Sequence, residues 1–295
     1  MRIGAFELPE PVPELNEPHA LAIIPFWMDA GASANLTLSL LEQTYEAQAL
    51  ARLTRPGEFF DFTRYRPTLS KKEDASKVTL TNAVATYGRR QEGCDFIFLR
   101  LPEPHAMAEV YIDSVVELLK YFGIKRYGLL GSVYDMVPYT RPLLVTGSGS
   151  NQGLQNSLSD AKVVTNDYEG PTTILHLLAQ QMDQSGVETF NVFVHLPGYQ
   201  TPDNDYRGEN KLLEVIGSIY GLPVPQEVIE KAKEQEEQFK QVVEQFLLLR
   251  PQLKVMLSQL EENYDARVKD QKHEIHLSPE VEKFLKEMNG RFEQG

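Results

Sequence analysis

Contiguous apolar runs alternate along the chain with stretches whose apolar positions return every three or four residues, a pattern that predicts strands interleaved with helices. Residues 20–27 include Leu21-Ala22-Ile23-Ile24 and predict the first strand. Further strands are expected at 59–62, 78–85, 94–101, 127–130, 143–145, 163–164 and 189–196. The last is a nearly unbroken apolar run of the kind found inside a sheet covered on both faces. Asn35 is placed to cap a helix carrying Leu38, Leu41, Tyr45 and Ala49 on one face and ending before Pro56-Gly57. A second helix follows Pro104-His105, with Ala108, Ile112, Val115 and Leu119 in line and Gly123 closing it. A short helix is expected after residues 147–153, and another over 172–184. This alternation predicts an α/β fold, a mostly parallel sheet with helices on both faces.

From Gln226 onward no strand pattern appears. Ile229, Ala232, Phe239, Val243 and Phe246 recur at helical spacing, Pro251 breaks the run, and Leu253, Leu257, Leu260 and Tyr264 resume it. A break this short predicts an antiparallel helical hairpin. Ala266 to His276 is polar and reads as a linker, and Ser278-Pro279 opens a last helix as N-cap and first position. At the other end, Pro9, Pro11, Pro13 and Pro18 make 8–18 an extended segment. The resulting divisions are an N-terminal arm at 1–19, an α/β core at 20–225, a hairpin at 226–266, and a linker with a terminal helix at 267–295.

Charge and composition narrow the partners. Twenty-nine Lys and Arg against 42 Asp and Glu give a net charge of −13, which opposes binding to nucleic-acid phosphates. No apolar run approaches the roughly 20 residues that span a bilayer, and the first residues lack the apolar segment of an export signal. Cys94 is the single cysteine, so no intrachain disulfide can form, and a cytoplasmic location is expected.

The candidate chemistry is sparse. Gly147-Ser148-Gly149-Ser150-Asn151-Gln152-Gly153 can present backbone N–H groups to a phosphate or nucleotide, but it matches neither the dinucleotide fingerprint nor the Gly-Lys-Ser/Thr of a P-loop. No Gly-x-Ser-x-Gly elbow and no paired Cys or His motif for zinc occurs, so no metal is expected. His273 and His276 are three residues apart in the linker. Ligands bind at strand ends in parallel α/β sheets, and the polar residues expected there are Asp29, Glu103, Arg141, Glu169 and His195, with Gly147 and Gly149 beside them. Each also has a purely structural reading: Arg141 as the partner of a neighbouring carboxylate, His195 as a hydrogen-bonded interior imidazole.

Several strings, in order, resemble one family. Pro25-Phe26-Trp27-Met28-Asp29-Ala30-Gly31, Phe60-Asp61-Phe62 with Arg66-Pro67, and Leu99-Arg100-Leu101-Pro102-Glu103-Pro104 come first. Gly123-Ile124-Lys125-Arg126, Tyr139-Thr140-Arg141-Pro142 with Val145-Thr146-Gly147, Tyr168-Glu169-Gly170-Pro171-Thr172 and His195-Leu196-Pro197-Gly198-Tyr199 follow. Over about residues 20 to 265 the chain resembles the proteasome assembly chaperone 2 family, in its bacterial branch. The resemblance implies a three-layer αβα sandwich similar to the phosphorylase/hydrolase-like fold, assembly into homo-oligomers, and an assembly or scaffold role through protein partners. It supplies no established catalytic residues. Some bacterial relatives are labelled ATP-dependent carboxylate–amine ligases and the fold has hydrolytic relatives, so the alternative is an enzyme or small-molecule binder that takes a nucleotide, nucleoside or phosphate in a cleft at the strand ends, with ligase or hydrolase-type chemistry. Two departures stand out. Ala32-Ser33-Ala34 replaces an acidic position after Asp-Ala-Gly, and Arg291 to Gly295 lacks the hydrophobic-Tyr-any ending of relatives that dock on proteasome rings.

Overall fold

The computed structural model of the chain describes residues 1–72, 75–165, 168–250 and 252–269. Pro251, the histidines at 273 and 276 and the helix expected from Ser278 lie outside the described residues.

The strands are β1 (Arg2–Ile3), β2 (Phe6–Glu7), β3 (His19–Ile23), β4 (Gln48–Leu53), β5 (Thr68–Lys72), β6 (Ala75–Thr79), β7 (Val84–Gly88), β8 (Phe96–Arg100), β9 (Arg126–Asp135), β10 (Leu144–Gly149), β11 (Val164–Thr165) and β12 (Glu188–Pro197). The helices are α1 (Ser33–Thr44), α2 (Ala108–Tyr121), α3 (Gln152–Asp160), α4 (Ile174–Gln184), α5 (Tyr206–Tyr220), α6 (Gln226–Leu249) and α7 (Leu253–Lys269). One large mixed sheet runs in the order β1-β2-β4-β7-β8-β3-β9-β12-β10-β11, and β5 and β6 form a sheet of their own. Strand β3 lies parallel to both β8 and β9, whereas β2, β4, β7 and β8 pair in antiparallel succession. The fold is α/β, with a central sheet, flanking helices and a helical C-terminal region, as the alternating pattern predicts.

The described chain forms two compact units. The first comprises Met1–Met28, Leu38–Leu130 and Gly170–Phe190. Its centre is apolar on both sheet faces: Ala20, Leu21, Ala22 and Ile23 of β3 and Phe96, Ile97 and Leu99 of β8 have no exposed surface. Alternation fails in such strands because both faces need apolar cover. The second unit comprises Asp29–Thr37, Gly131–Glu169 and the described part of 191–295. Val192, Val194 and Leu196 of β12 are fully buried in it, and α5 presents Leu212, Leu213, Val215 and Ile216 to the interior.

Several expectations need correction. Residues 59–62 form turns, not a strand. Phe59 and Phe60 are both buried and both pack on Tyr111, at 5.6 and 5.9 Å between ring centres. Neighbouring residues of a strand point to opposite faces, so a turn is what lets both rings enter one core. Helix α1 ends at Thr44, and Glu46 (φ 47°) turns the chain into β4, where Leu50 and Leu53 are buried and Arg52 is exposed. Residues 78–85 divide between β6 and β7, because the Asn82 side chain bonds both the N–H and C=O of Leu53 in place of a ladder partner. The stretch from Ala266 begins as the end of α7, and α5 was not marked by any expectation.

Candidate functional site

Three polar side chains of the second unit meet across β9, β12 and β10. Strand order places β12 between the other two, so His195 of β12 reaches a side chain on each neighbour. Its Nδ1 lies 2.7 Å from Oδ2 of Asp135, the last residue of β9, and its Nε2 lies 2.9 Å from Oγ1 of Thr146 on β10. An ionised carboxylate only accepts, so Nδ1 donates to Asp135 and, in the neutral ring, Nε2 accepts from the Thr146 hydroxyl. Arg267 of α7 adds a hydrogen bond of 2.9 Å from Nη1 to the same Oδ2. Burial raises the Asp135 pKa, but the His195 hydrogen bond and charge, with those of Arg267, outweigh it and hold the carboxyl well below its usual range.

A second seam lies on α7. Arg141 forms a two-pronged pair with Asp265, at 3.0 Å for each nitrogen, and reaches Glu261 at 3.3 Å. Thr140 also donates to Glu261. The bidentate geometry matches the planar guanidinium to the planar carboxylate. Apolar contact completes the seam: Tyr199 and Phe239 stack at 5.8 Å between centres, and Leu260, Tyr139 and Val243 pack on them. Beneath α6, Arg207 is held by Asp205, and its guanidinium sits 4.2 Å above the Phe239 ring. Asp205 also caps α5 through the Arg207 and Gly208 N–H groups.

The seven sequence candidates therefore go to different tasks. Asp29 accepts from the N–H groups of Ala34 and Asn35 at the start of α1, so the cap of that helix is Asp29 and not Asn35. Glu103 lies in the first unit, where Oε1 accepts from the Ile174 N–H at the start of α4. Both carboxylates occupy helix N-termini, where the backbone dipole favours negative charge. Arg141 anchors α7, and His195 joins three strands. Glu169 is exposed. Gly147 and Gly149 fall on β10 and not in a loop. A Cβ at Gly147 would come 2.4 Å from the Asn191 carbonyl, and one at Gly149 would come 2.7 Å from Cβ of Leu154. Close backbone approach accounts for glycine at both positions.

Reading the sequence missed Asp135, Thr146, Asp205, Arg207 and Arg267. A string that names Thr146 and His195 separately holds no sign that their strands are neighbours. Among the described residues no group of three or more His, Cys, Asp or Glu is placed to hold a metal ion, and no helix is long and apolar enough to cross a membrane.

Among the described residues of the second unit, the two most exposed apolar side chains, Leu248 and Leu249, are on the hairpin. Leu248 is 77% exposed, Leu249 80% and Val255 65%. Beside them Val242, Phe246, Leu253, Met256 and Leu257 line an apolar cavity of about 100 Å³, floored by Tyr139 and Tyr199.

A family model described as the PAC2 family matches residues 23–245. The crystal structure of a PAC2 family protein from Streptomyces avermitilis superposes with a TM-score of 0.69 at 22% identity, covering 76% of this chain and 95% of that one. A Mycobacterium tuberculosis protein of unknown function gives a TM-score of 0.74 at 24% identity, covering 92% of each chain. A proteasome-assembly chaperone homologue from the same organism gives 0.67 at 18% identity, covering 75% of this chain and 94% of that one. At these identities the likeness is one of fold. No curated protein matches the chain.

Proposed function

The chain belongs to the PAC2 family, and from that membership we propose that it is a non-enzymatic assembly or scaffold protein, working in the cytoplasm as a homo-oligomer that engages a protein partner through the α6–α7 hairpin. The observation that carries this reading is the hairpin end. Leu248, Leu249 and Val255 are 77%, 80% and 65% exposed beside an apolar groove. Exposed apolar patches rimmed by polar residues are the usual mark of a protein contact. The row of carboxylates on α6 supplies such a rim. The strand-end residues support the same reading, since Asp29, Glu103 and Arg141 are engaged in capping helices and anchoring α7. Solved structures of this fold include one described as a proteasome-assembly chaperone homologue.

The test is capture of a stoichiometric partner from the source lysate by the wild-type chain and by a Leu248→Asp/Leu249→Asp variant of unchanged thermal stability. Loss of the partner on the variant supports the reading; equal capture by both contradicts it.

A further inference from the structure

The second unit holds a further cavity, of about 500 Å³, against the first half of α6. That volume falls within the roughly 300 to 1,000 Å³ of small-molecule sites. Three segments wall it. Residues Pro138 to Leu143, between β9 and β10, form one side; α5 turns Arg207, Lys211 and Glu214 towards it, and α6 adds Lys233, Glu236 and Lys240. Spacings of three and four residues put each set on one face of its helix.

Charge at this cavity runs against that of the chain. Five cations and two carboxylates line it, in a protein whose net charge is −13. Carboxylates outside the lining fix both arginines: Asp265 and Glu261 hold Arg141, and Asp205 holds Arg207. The three lysines are held less firmly. Lys211 meets Glu214 at 2.9 Å and Lys240 meets Glu236 at 3.0 Å, each pair three or four residues apart on one helix. Local surface pairs of this kind contribute little, so a stronger anion displaces the carboxylate at small cost. Lys233 enters no ion pair among the described residues. This division selects the anion. Guanidinium forks suit planar carboxylates, and both forks here already hold one. What remains is three ammonium groups, compact charges with three rotatable donors each, which suit the tetrahedral oxygens of phosphate. Lys233 and Lys240 lie about 10.5 Å apart along α6, with Lys211 facing them from α5, so two linked phosphoryl groups reach them better than one.

We infer that this cavity binds a diphosphate, free or as an organic ester, with Lys211, Lys233 and Lys240 on the phosphoryl oxygens and any organic group against Pro142, Leu143 and Ile229. Bound there, the ligand joins α6 to α5 and to the segment that carries Arg141, and so braces the base of the hairpin. The site goes beyond the proposed partner contact and does not depend on it, since Leu248 and Leu249 are not among the residues that line it.

Isothermal titration calorimetry on the full chain at about 0.15 M salt, with pyrophosphate, ADP and citrate as probes, tests the site. Pyrophosphate is expected to bind the wild type, and to bind Lys233→Gln/Lys240→Gln more weakly by about tenfold or more, because each lysine removed takes away a charge-assisted hydrogen bond. Neither lysine is buried, so the melting temperature of that variant without ligand should match the wild type. Lys71→Gln/Lys77→Gln removes the same charge from the first unit and should bind as the wild type does. Failure of both pyrophosphate and ADP to bind the wild type overturns the inference. Equal binding by the Lys233/Lys240 variant, equal weakening by the Lys71/Lys77 variant, or citrate binding as tight as that of pyrophosphate overturns it too. Tighter binding of ADP than of pyrophosphate supports an organic ester as the ligand, and equal or weaker binding of ADP supports the free diphosphate.

Discussion

Arg267 near the end of α7 and Asp135 at the end of β9 are 132 residues apart in sequence, yet Nη1 of the first lies 2.9 Å from Oδ2 of the second. That oxygen also accepts from His195, so one carboxylate ties the C-terminal helix to the strand that joins its neighbours. Both partners are less than a fifth exposed, and leaving one charge of such a pair alone costs more than the pair itself contributes. Arg267→Ala should lower unfolding stability by about 2 kcal/mol and expose α7 to trypsin earlier than the body of the unit. Urea unfolding and timed proteolysis check this. Unchanged cleavage within α7 would show that Asp135 does not hold the helix.

The same carboxylate sets a pH limit. Its folded pKa lies below the ordinary 3.8, so Asp135 adds stability that is complete above 3.8 and is lost as pH falls towards the folded value. Asp135→Asn should flatten the acid limb of the stability curve below about pH 4. His19 acts higher on the scale. Burial, then the Arg126 charge, lowers its pKa from 6.5 to about 4. The unfolded chain therefore binds a proton that the folded chain refuses, and stability declines as pH falls from 6.5 to 4. Allowing for the partial exposure of the ring, the decline attributable to His19 is about 2 kcal/mol. Chemical unfolding of wild type and His19→Gln between pH 7 and 4 checks it, with a shallower slope expected for the variant.

Gly31 explains a sequence string in physical terms. Its φ is +56°, a Cβ there would come 2.6 Å from Cβ of Asp205, and its carbonyl accepts from the Asp205 N–H at 2.7 Å. Gly31→Ala combines backbone strain with displacement of the residue that caps α5 and grips Arg207, and should cost about 2 to 3 kcal/mol. A melting temperature within a degree of wild type would contradict this.

The parts of the fold legible in the sequence are those whose environment is uniform along the segment. Strands β3, β8 and β12 are covered on both faces, so they read as nearly unbroken apolar runs, and α2, α4, α6 and α7 keep one apolar face for three turns or more. Elements that change environment within a few residues are not legible this way. Phe59 and Phe60 look like a strand because both are apolar, yet a turn brings both into one core. Strand β4 hides behind α1 because Ala49 continues the helical spacing after the chain has turned at Glu46. The candidate polar residues were legible one at a time. Arg141 is visibly a pairing residue, but its partners Glu261 and Asp265 lie more than a hundred residues on, beyond a proline break. Strand order is a property of pairing and not of spacing, so nothing in the sequence joins His195 to Thr146 and Asp135.

The central claim is that the hairpin end is a protein-binding surface, and parallel capture by the wild type and by Leu248→Asp/Leu249→Asp measures it most directly. Exposed substitutions of this kind should leave stability within about 0.5 kcal/mol, so binding and folding separate cleanly. The account predicts one stoichiometric partner retained by the wild type and absent from the variant at equal melting temperature. Equal retention by both chains would contradict it.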